Sequence, residues 1–308
     1  MATCIVAVLT VVPALVFTPQ TDAQLAALNR MVTTVNEADA AGYARLYAPD
    51  AIITIYGTGE LKGRAAIQAH EVELLRQFPG ARLAFSNVWQ DGRHVVVRYA
   101  INARTPNGLT MGHDGLLFLR FDTSGAIIEE HRYQDSLTPM AQLGALRATA
   151  FRAPPVLPAR LTAHVAAGST EEQANGSVVT AMLAAMHGGD ASAARGFFAV
   201  DATIDDVFLP QPFIARDAAA SWIRTWTDAS PSLELNVTTL LTIGDFVLVE
   251  SVTSGSLLRS LGLVPASRRA FEVRRGFIVR LGKGKITSLV AFMNGKELAE
   301  SGGSWPLK

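Results

Sequence analysis

The side chains best suited to moving a proton fall at alternate positions of one short stretch. From Gly125 to Asp135 the chain reads GAIIEEHRYQD, after a tight-turn signal at Asp122-Thr123-Ser124-Gly125. The stretch alternates as a strand with two different faces should. Strand side chains point to a given side at every second position, so Ile127, Glu129, His131, Tyr133 and Asp135 are expected to share a face. His131, Tyr133 and Asp135 can each donate, accept or pass on a proton. Burial among apolar groups raises a carboxyl pKa toward neutrality, where it can work as a general acid or base. Asp135 is therefore the candidate acid/base, with His131 and Tyr133 as its polar partners. Asp135 also stands before a helical pattern, Ser136 to Leu143, where an Asp is a standard N-terminal cap; both roles stay open. His113, just ahead of a strand pattern, is a further pocket candidate, and its neighbour Asp114 reads as a turn residue.

The rest of the chain supplies elements to hold that stretch. Leu25, Leu28, Met31, Val32 and Val35 recur at three- and four-residue steps, which predicts a helix from Thr21. Asp39 reads as the cap of a second, short helix reaching Tyr47. A β-rich run covers Ala51 to Tyr56, and an amphipathic helix covers Ala65 to Phe78, stopped by Pro79-Gly80. Strands then follow at Leu83 to Gln90, His94 to Ala103 and Gly115 to Phe121, with turn signals at Asp91-Gly92 and Pro106-Asn107-Gly108. Helix, helix, strand, helix, then a run of strands predicts an α+β cone: one curved antiparallel sheet wrapped by about three helices.

The whole order then repeats at an offset of about 150 residues, one domain length. Gly189-Asp190 parallels Ala38-Asp39, Val200-Asp201-Ala202 parallels Pro49-Asp50-Ala51, and Gly244 to Val249 parallels Gly92 to Val97. The opening stretch returns as GKITSLVAFMN, Gly284 to Asn294, with Phe292 in place of Tyr133 and Asn294 in place of Asp135. The expected division is an apolar segment at 1–20, a first domain at 21–147, a Pro/Ala-rich linker at 148–170, a second domain at 171–300 and a tail at 301–308. Pro154, Pro155 and Pro158 favour an extended, semi-rigid connection there. Paired sheet to sheet, two such domains would make an internal pseudo-dimer and remove the need for an obligate homodimer.

Composition excludes several classes. The chain has 308 residues, 49% of them hydrophobic, and 27 basic against 27 acidic residues, for a formal charge of zero. An electrostatic nucleic-acid binder needs a net basic face. Arg268, Arg269, Arg274 and Arg275 read as solvated charges instead. Cys4 is the single cysteine, so no intrachain disulfide can form, and the 6 histidines show no metal-ligand spacing. Cys4 to Phe17 is almost continuously apolar, too short for a comfortable membrane span but of signal-peptide length. Neither a basic residue before it nor a clean cleavage site after it supports a standard signal, so export is an open expectation.

The segments AAGYARLYAPDAIITIYGTGELKGRAAI, QDGRHVVVRYAINA and FDTSGAIIEEHRYQD resemble the SnoaL-like polyketide cyclase group of the NTF2-like superfamily. That resemblance implies a cone with an apolar pocket, an acidic general acid/base in it, and neither metal nor cofactor. In the second repeat, DATIDDVFLP is similar to the stretch carrying the general base of ketosteroid isomerases, with Asp206 at the base. The helix Tyr and the strand acid of that family have no match here. IGDFVLVESVTSG is similar to limonene-epoxide hydrolases, whose Arg and two Asp positions read Ser251, Thr253 and Asn294 in this chain. Asp206, Asn294 and His113 are therefore taken as candidate ligand contacts. The expected function is cofactor-free isomerisation or cyclisation of a polyketide- or steroid-like apolar substrate in the first pocket. The alternative is a non-catalytic ligand-binding or scaffold protein.

Overall fold

The computed structural model of the chain describes residues 19–148, 150–214 and 216–307. The apolar run at 4–17 lies outside the described residues. In the first repeat α1 (Pro19–Asn36) and α2 (Ala40–Arg45) lead into β1 (Tyr47–Ile55), which turns back as β2 (Gly59–Lys62). Next come α3 (Gly63–Gln77), β3 (Arg82–Asp91), β4 (His94–Arg104), β5 (Thr110–Phe121), β6 (Ile127–Gln134) and α4 (Leu137–Gln142). The Pro-rich stretch carries β7 (Thr162–Val165). The second repeat runs α5 (Thr170–His187), α6 (Ala191–Arg195), β8 (Phe198–Asp206), β9 (Phe213–Ile214), α7 (Arg216–Ala229), β10 (Glu234–Ile243), β11 (Phe246–Ser256), β12 (Ala270–Gly282), β13 (Lys285–Met293) and α8 (Gly295–Ser301).

Local chemistry explains the boundaries. The Asp39 carboxylate accepts from the Gly42 amide at 2.7 Å and starts α2, and Asp190 does the same for α6 from the Ala193 amide at 2.8 Å. Gly92 and Gly244, both at φ 57°, make the β3–β4 and β10–β11 hairpin turns, a left-handed conformation that costs glycine little. The strand order is β2-β1-β6-β5-β4-β3-β7 in one sheet and β10-β11-β12-β13-β8-β9 in the other.

Both sheets are mixed, which corrects the all-antiparallel expectation. β3 to β6 form an antiparallel meander, but β1 lies parallel to β6 and β8 lies parallel to β13. Parallel neighbours need a long crossover, and α3 followed by the meander provides it. Within the Pro-rich stretch, β7 adds to the first sheet parallel to β3, with Asn87 opposite Thr162 and Gln90 opposite Val165.

Each sheet buries one face under its own helices. Leu28, Met31 and Val35 of α1 close on Ile53, Val97 and Leu117 in the first cone; Val179, Trp222 and Trp226 close on Val249 and Phe277 in the second. The opposite faces of the two sheets meet each other. Trp89, Val96, Leu116, Phe118 and Tyr133 pack there with Ile243, Leu248, Ile278 and Phe292. Gly276 permits a close approach: a Cβ on it would stand 2.8 Å from Leu116 Cδ2 and 3.3 Å from the Tyr133 ring. Among the described residues no helix is long and apolar enough to cross a membrane.

Candidate functional site

The first cone holds a cavity of about 260 Å³ with an open mouth. Its walls are mainly apolar, with Leu74 and Leu75 of α3 and Phe78 just past its end facing Leu83, Phe85, Ile101 and Leu117 of the sheet. Polar groups converge on it from several elements, among them Tyr43 of α2, His70 and Glu71 of α3, and Arg132 and Gln134 of β6.

Arg132 organises this polar side. Its Nε donates to Glu130 Oε1 at 2.6 Å and its Nη2 donates to the Tyr43 hydroxyl at 2.8 Å. The Tyr47 hydroxyl donates to the other Glu130 oxygen at 2.5 Å and stands 2.9 Å from the Tyr43 hydroxyl. Both Glu130 oxygens are thus occupied, and the buried pair is fixed in one geometry. Burial disfavours the Arg132 charge, but Glu130 and its neighbours more than restore it, and the guanidinium pKa lies above its ordinary value. Burial also drives the Tyr43 and Tyr47 hydroxyls upward, so both stay protonated.

Glu71 differs from Glu130 in having almost no partner. Its Oε1 lies 4.0 Å from Arg132 Nη1, and it makes no hydrogen bond among the described residues. It is only 6% exposed. Burial pushes its carboxyl up to about 7, against the opposing pull of Arg132. A carboxyl poised near neutrality in an apolar cavity can take or give a proton under mild conditions. On the cavity wall, the Tyr99 hydroxyl donates to Gln134 Oε1 at 2.9 Å, which leaves the Gln134 amide N–H groups free to donate. His113 also lines the cavity; burial lowers its pKa to about 4, so it is neutral. Its Nδ1 donates to the Asp114 carbonyl at 3.2 Å, which makes Nε2 the acceptor.

The structure keeps His131 and Tyr133 on one face, as the alternation has it, but takes Asp135 away from them and turns that face away from the cavity. His131 and Tyr133 point out of the first cone, toward the second sheet. His131 Nδ1 lies 2.7 Å from Glu250 Oε1 and the Tyr133 hydroxyl donates to the same oxygen at 2.8 Å. Burial would lower the His131 pKa, but the bonds to Glu250 and Glu129 hold it above its ordinary value. The cone interior takes the other parity, Glu130, Arg132 and Gln134. Asp135 stands just past the strand end, where the β alternation no longer applies. It reaches the cavity margin, yet its oxygens accept from the amides of Leu137 at 3.1 Å, Thr138 at 2.8 Å and Gly295 at 3.0 Å. Burial raises its pKa against those bonds. The carboxylate is committed to starting α4 and to gripping the second repeat.

Asn294 mirrors it across the interface. Its Oδ1 accepts from the Lys296 amide at 3.0 Å to start α8 and from the Ser136 amide at 3.2 Å in the first repeat. Each residue caps its own helix and holds the backbone beside the other, an isologous exchange.

Asp206 is buried inside the second cone, where one oxygen accepts from Trp222 Nε1 at 2.9 Å, Trp226 Nε1 at 3.0 Å and Arg275 Nη2 at 3.2 Å. The Arg275 guanidinium lies 3.9 Å from the Trp226 ring centre and 4.8 Å from that of Phe277. Burial lowers its pKa to about 10, with Asp206 opposing. Cross-strand register shows why the two interiors differ. Tyr99 faces Gly115 in the first cone, and a Cβ on that glycine would meet the Tyr99 ring at 2.1 Å; the corresponding pair in the second cone is Ser251 and Arg275. A glycine that makes room has become an arginine that fills it.

Two curved sheets, each wrapped by helices around its own interior, define the NTF2-like α+β class. A model of the SnoaL-like domain matches residues 28–130 and again 179–289. The chain belongs to the SnoaL-like family, as a tandem of two such domains. Among solved structures it is similar to a protein with a ketosteroid isomerase-like fold from Catenulispora acidiphila, crystallised with trimethylamine: identity is 22%, TM-score 0.37, with 41% of this chain and 92% of that one covered. A protein assigned as a SnoaL-like polyketide cyclase from Jannaschia sp. CCS1 is 18% identical with a TM-score of 0.41, over 45% of this chain and 96% of that one. An NTF2-like protein of unknown function from Exiguobacterium sp. 255-15 is 14% identical with a TM-score of 0.33, over 36% and 98%. No curated protein matches the chain.

Glu71, Arg132, Glu130, Tyr43 and Gln134 were not singled out by sequence. A signal for Glu71 was present: it sits four residues after Ile67 and three before Leu74, in the middle of the apolar stripe of α3. A carboxylate in that stripe either reaches a buried partner or serves a pocket.

Proposed function

We propose that the first cone binds a compact apolar molecule bearing a carbonyl group and catalyses proton transfer next to that carbonyl, with Glu71 as the acid/base. The observation that carries this reading is the Glu71 carboxyl itself, buried on an apolar cavity wall, without a hydrogen bond among the described residues, and held at about 7. The Glu71 carboxylate takes a proton from the carbon beside the carbonyl. The electron pair moves onto the carbonyl oxygen as an enolate, where Arg132 Nη1 and the Gln134 amide can donate to it. Returning the proton to another carbon gives isomerisation; attack of the enolate carbon on a second carbonyl of the same molecule, whose oxygen then takes the proton from Glu71, gives ring closure. Preorganised donors in a dry site stabilise such an oxyanion by a few kcal/mol each. His113 Nε2 would accept from a substrate hydroxyl. A cavity near the ~300 Å³ lower end for ligand pockets favours a compact substrate.

The test is α-proton exchange of 2-tetralone in D₂O, followed by ¹H NMR. The expected result is exchange above the buffer rate, rising with pH to a plateau past about 7, and abolished in Glu71→Gln. Equal exchange in wild type and Glu71→Gln would overturn the assignment. In this reading the single chain is the functional unit, with its two repeats paired internally.

A further inference from the structure

One carboxylate of the second repeat brackets the residue that this reading places against the substrate oxygen. Arg132 faces into the first cone; its two chain neighbours, His131 and Tyr133, face out. Both neighbours bind the same atom, Glu250 Oε1 of β11, at 2.7 Å and 2.8 Å. Glu250 is 5% exposed, and Tyr133 is 1% exposed. His131 is held on its other side by Glu129, 3.4 Å from Nε2. The backbone of β6 is therefore fixed by the second repeat immediately before and after Arg132.

The arrangement is not a by-product of pairing two similar sheets. An interface made by symmetry alone would show the same clasp twice. The first-repeat counterpart of Glu250 is Arg98, which stays within its own sheet, 3.7 Å from Asp114. The counterparts of His131 and Tyr133 are Val290 and Phe292, which offer it nothing. The inward faces differ in the same sense: Glu130 and Arg132 on β6 correspond to Leu289 and Ala291 on β13. On β6 the polar anchoring outside and the polar groups inside fall on the same strand, and β13 matches neither.

We propose that Glu250 is a positioning residue: the second repeat, whose own interior is filled by Trp222, Trp226 and Arg275, sets the placement of Arg132 in the first cavity. The proposal rests on the reading of Arg132 as the group that meets the substrate oxygen. Small displacements of such a group are costly, because a shift of about 1 Å can lower rates by roughly a hundredfold.

The full-length chain serves for the test, with Glu250→Gln, Tyr133→Phe and, as a control, the exposed Glu300→Gln. Two quantities are read: the ¹H–¹⁵N resonance of Arg132 Nε, and the affinity for 2-naphthol, a compact phenol that fluoresces. Glu250→Gln should move the Arg132 resonance and weaken 2-naphthol by about tenfold. Tyr133→Phe should act in the same direction to a smaller degree, and Glu300→Gln should change neither. A purely stabilising role for Glu250 would lower the melting temperature and leave both readouts at wild-type values; that result overturns the proposal. Should Glu250→Gln not fold, Tyr133→Phe decides on the same readouts. Failure of the wild type to bind 2-naphthol would count against the carbonyl-site reading, while the Arg132 resonance would still decide whether Glu250 positions it.

Discussion

Glu71 and Glu130 are both buried carboxylates on the same cone, yet they face opposite requirements. Glu130 is saturated by Arg132 and Tyr47, which suits it to holding another group in place. Glu71 lacks such support, and its cost appears in stability. Its ordinary value is 4.5 and its value in the fold is about 7. Between those two pH values the folded chain holds more protons than the unfolded one. Stability therefore falls as pH rises through that window, and the full penalty is present above it. Glu71→Gln should remove the penalty, raising stability at pH 8 relative to pH 4 by on the order of 3 kcal/mol. Denaturant titrations of the variant and wild type at the two pH values check this; an unchanged difference would mean that Glu71 is not raised. Its place in the apolar stripe of α3 marks Glu71 as buried, but its lack of a partner is a three-dimensional property that sequence pattern does not carry.

At the scale of elements, β6 explains most of what the sequence showed and hid. Its existence, its turn at Gly125 and its return as β13 were all legible, because hairpin turns and alternation are local signals. Its orientation was not. β6 lies between the first cone and the second sheet, so one face is buried, the other is half-covered, and both carry polar groups: Glu129, His131 and Tyr133 on one, Glu130, Arg132 and Gln134 on the other. Alternation identifies a buried face only when the other face is wet. Asp135 falls to the helix beyond it. Asp135→Asn should lower stability by about 1–2 kcal/mol, because an amide cannot accept from three backbone donors as a carboxylate does. Affinity for 2-naphthol should stay near wild type; an unchanged melting temperature with lost binding would return Asp135 to the site. In the second cone, Asp206→Asn leaves the Arg275 charge uncompensated, and should cost about 3–5 kcal/mol by thermal or denaturant unfolding. A loss below about 1 kcal/mol, the range of an exposed pair, would contradict the sealed arrangement.

For the whole molecule, the tandem repeat was visible in the order of elements, but the division of labour between its halves came from packing. One cone stays open because Gly115 admits the Tyr99 ring; the other is filled because Arg275 stands in that place. The sheet-to-sheet contact makes the chain one compact body, which should scatter as a monomer with a radius of gyration of about 19 Å. Two separately tumbling lobes, or an obligate dimer, would contradict internal pairing. The chemistry of the open cone depends above all on the state of one carboxyl, and ¹³C NMR titration of Glu71, assigned by Glu71→Gln, measures it directly. The expected midpoint is near 7 and moves when 2-naphthol is added. A midpoint near the ordinary 4.5, indifferent to 2-naphthol, would contradict that chemistry.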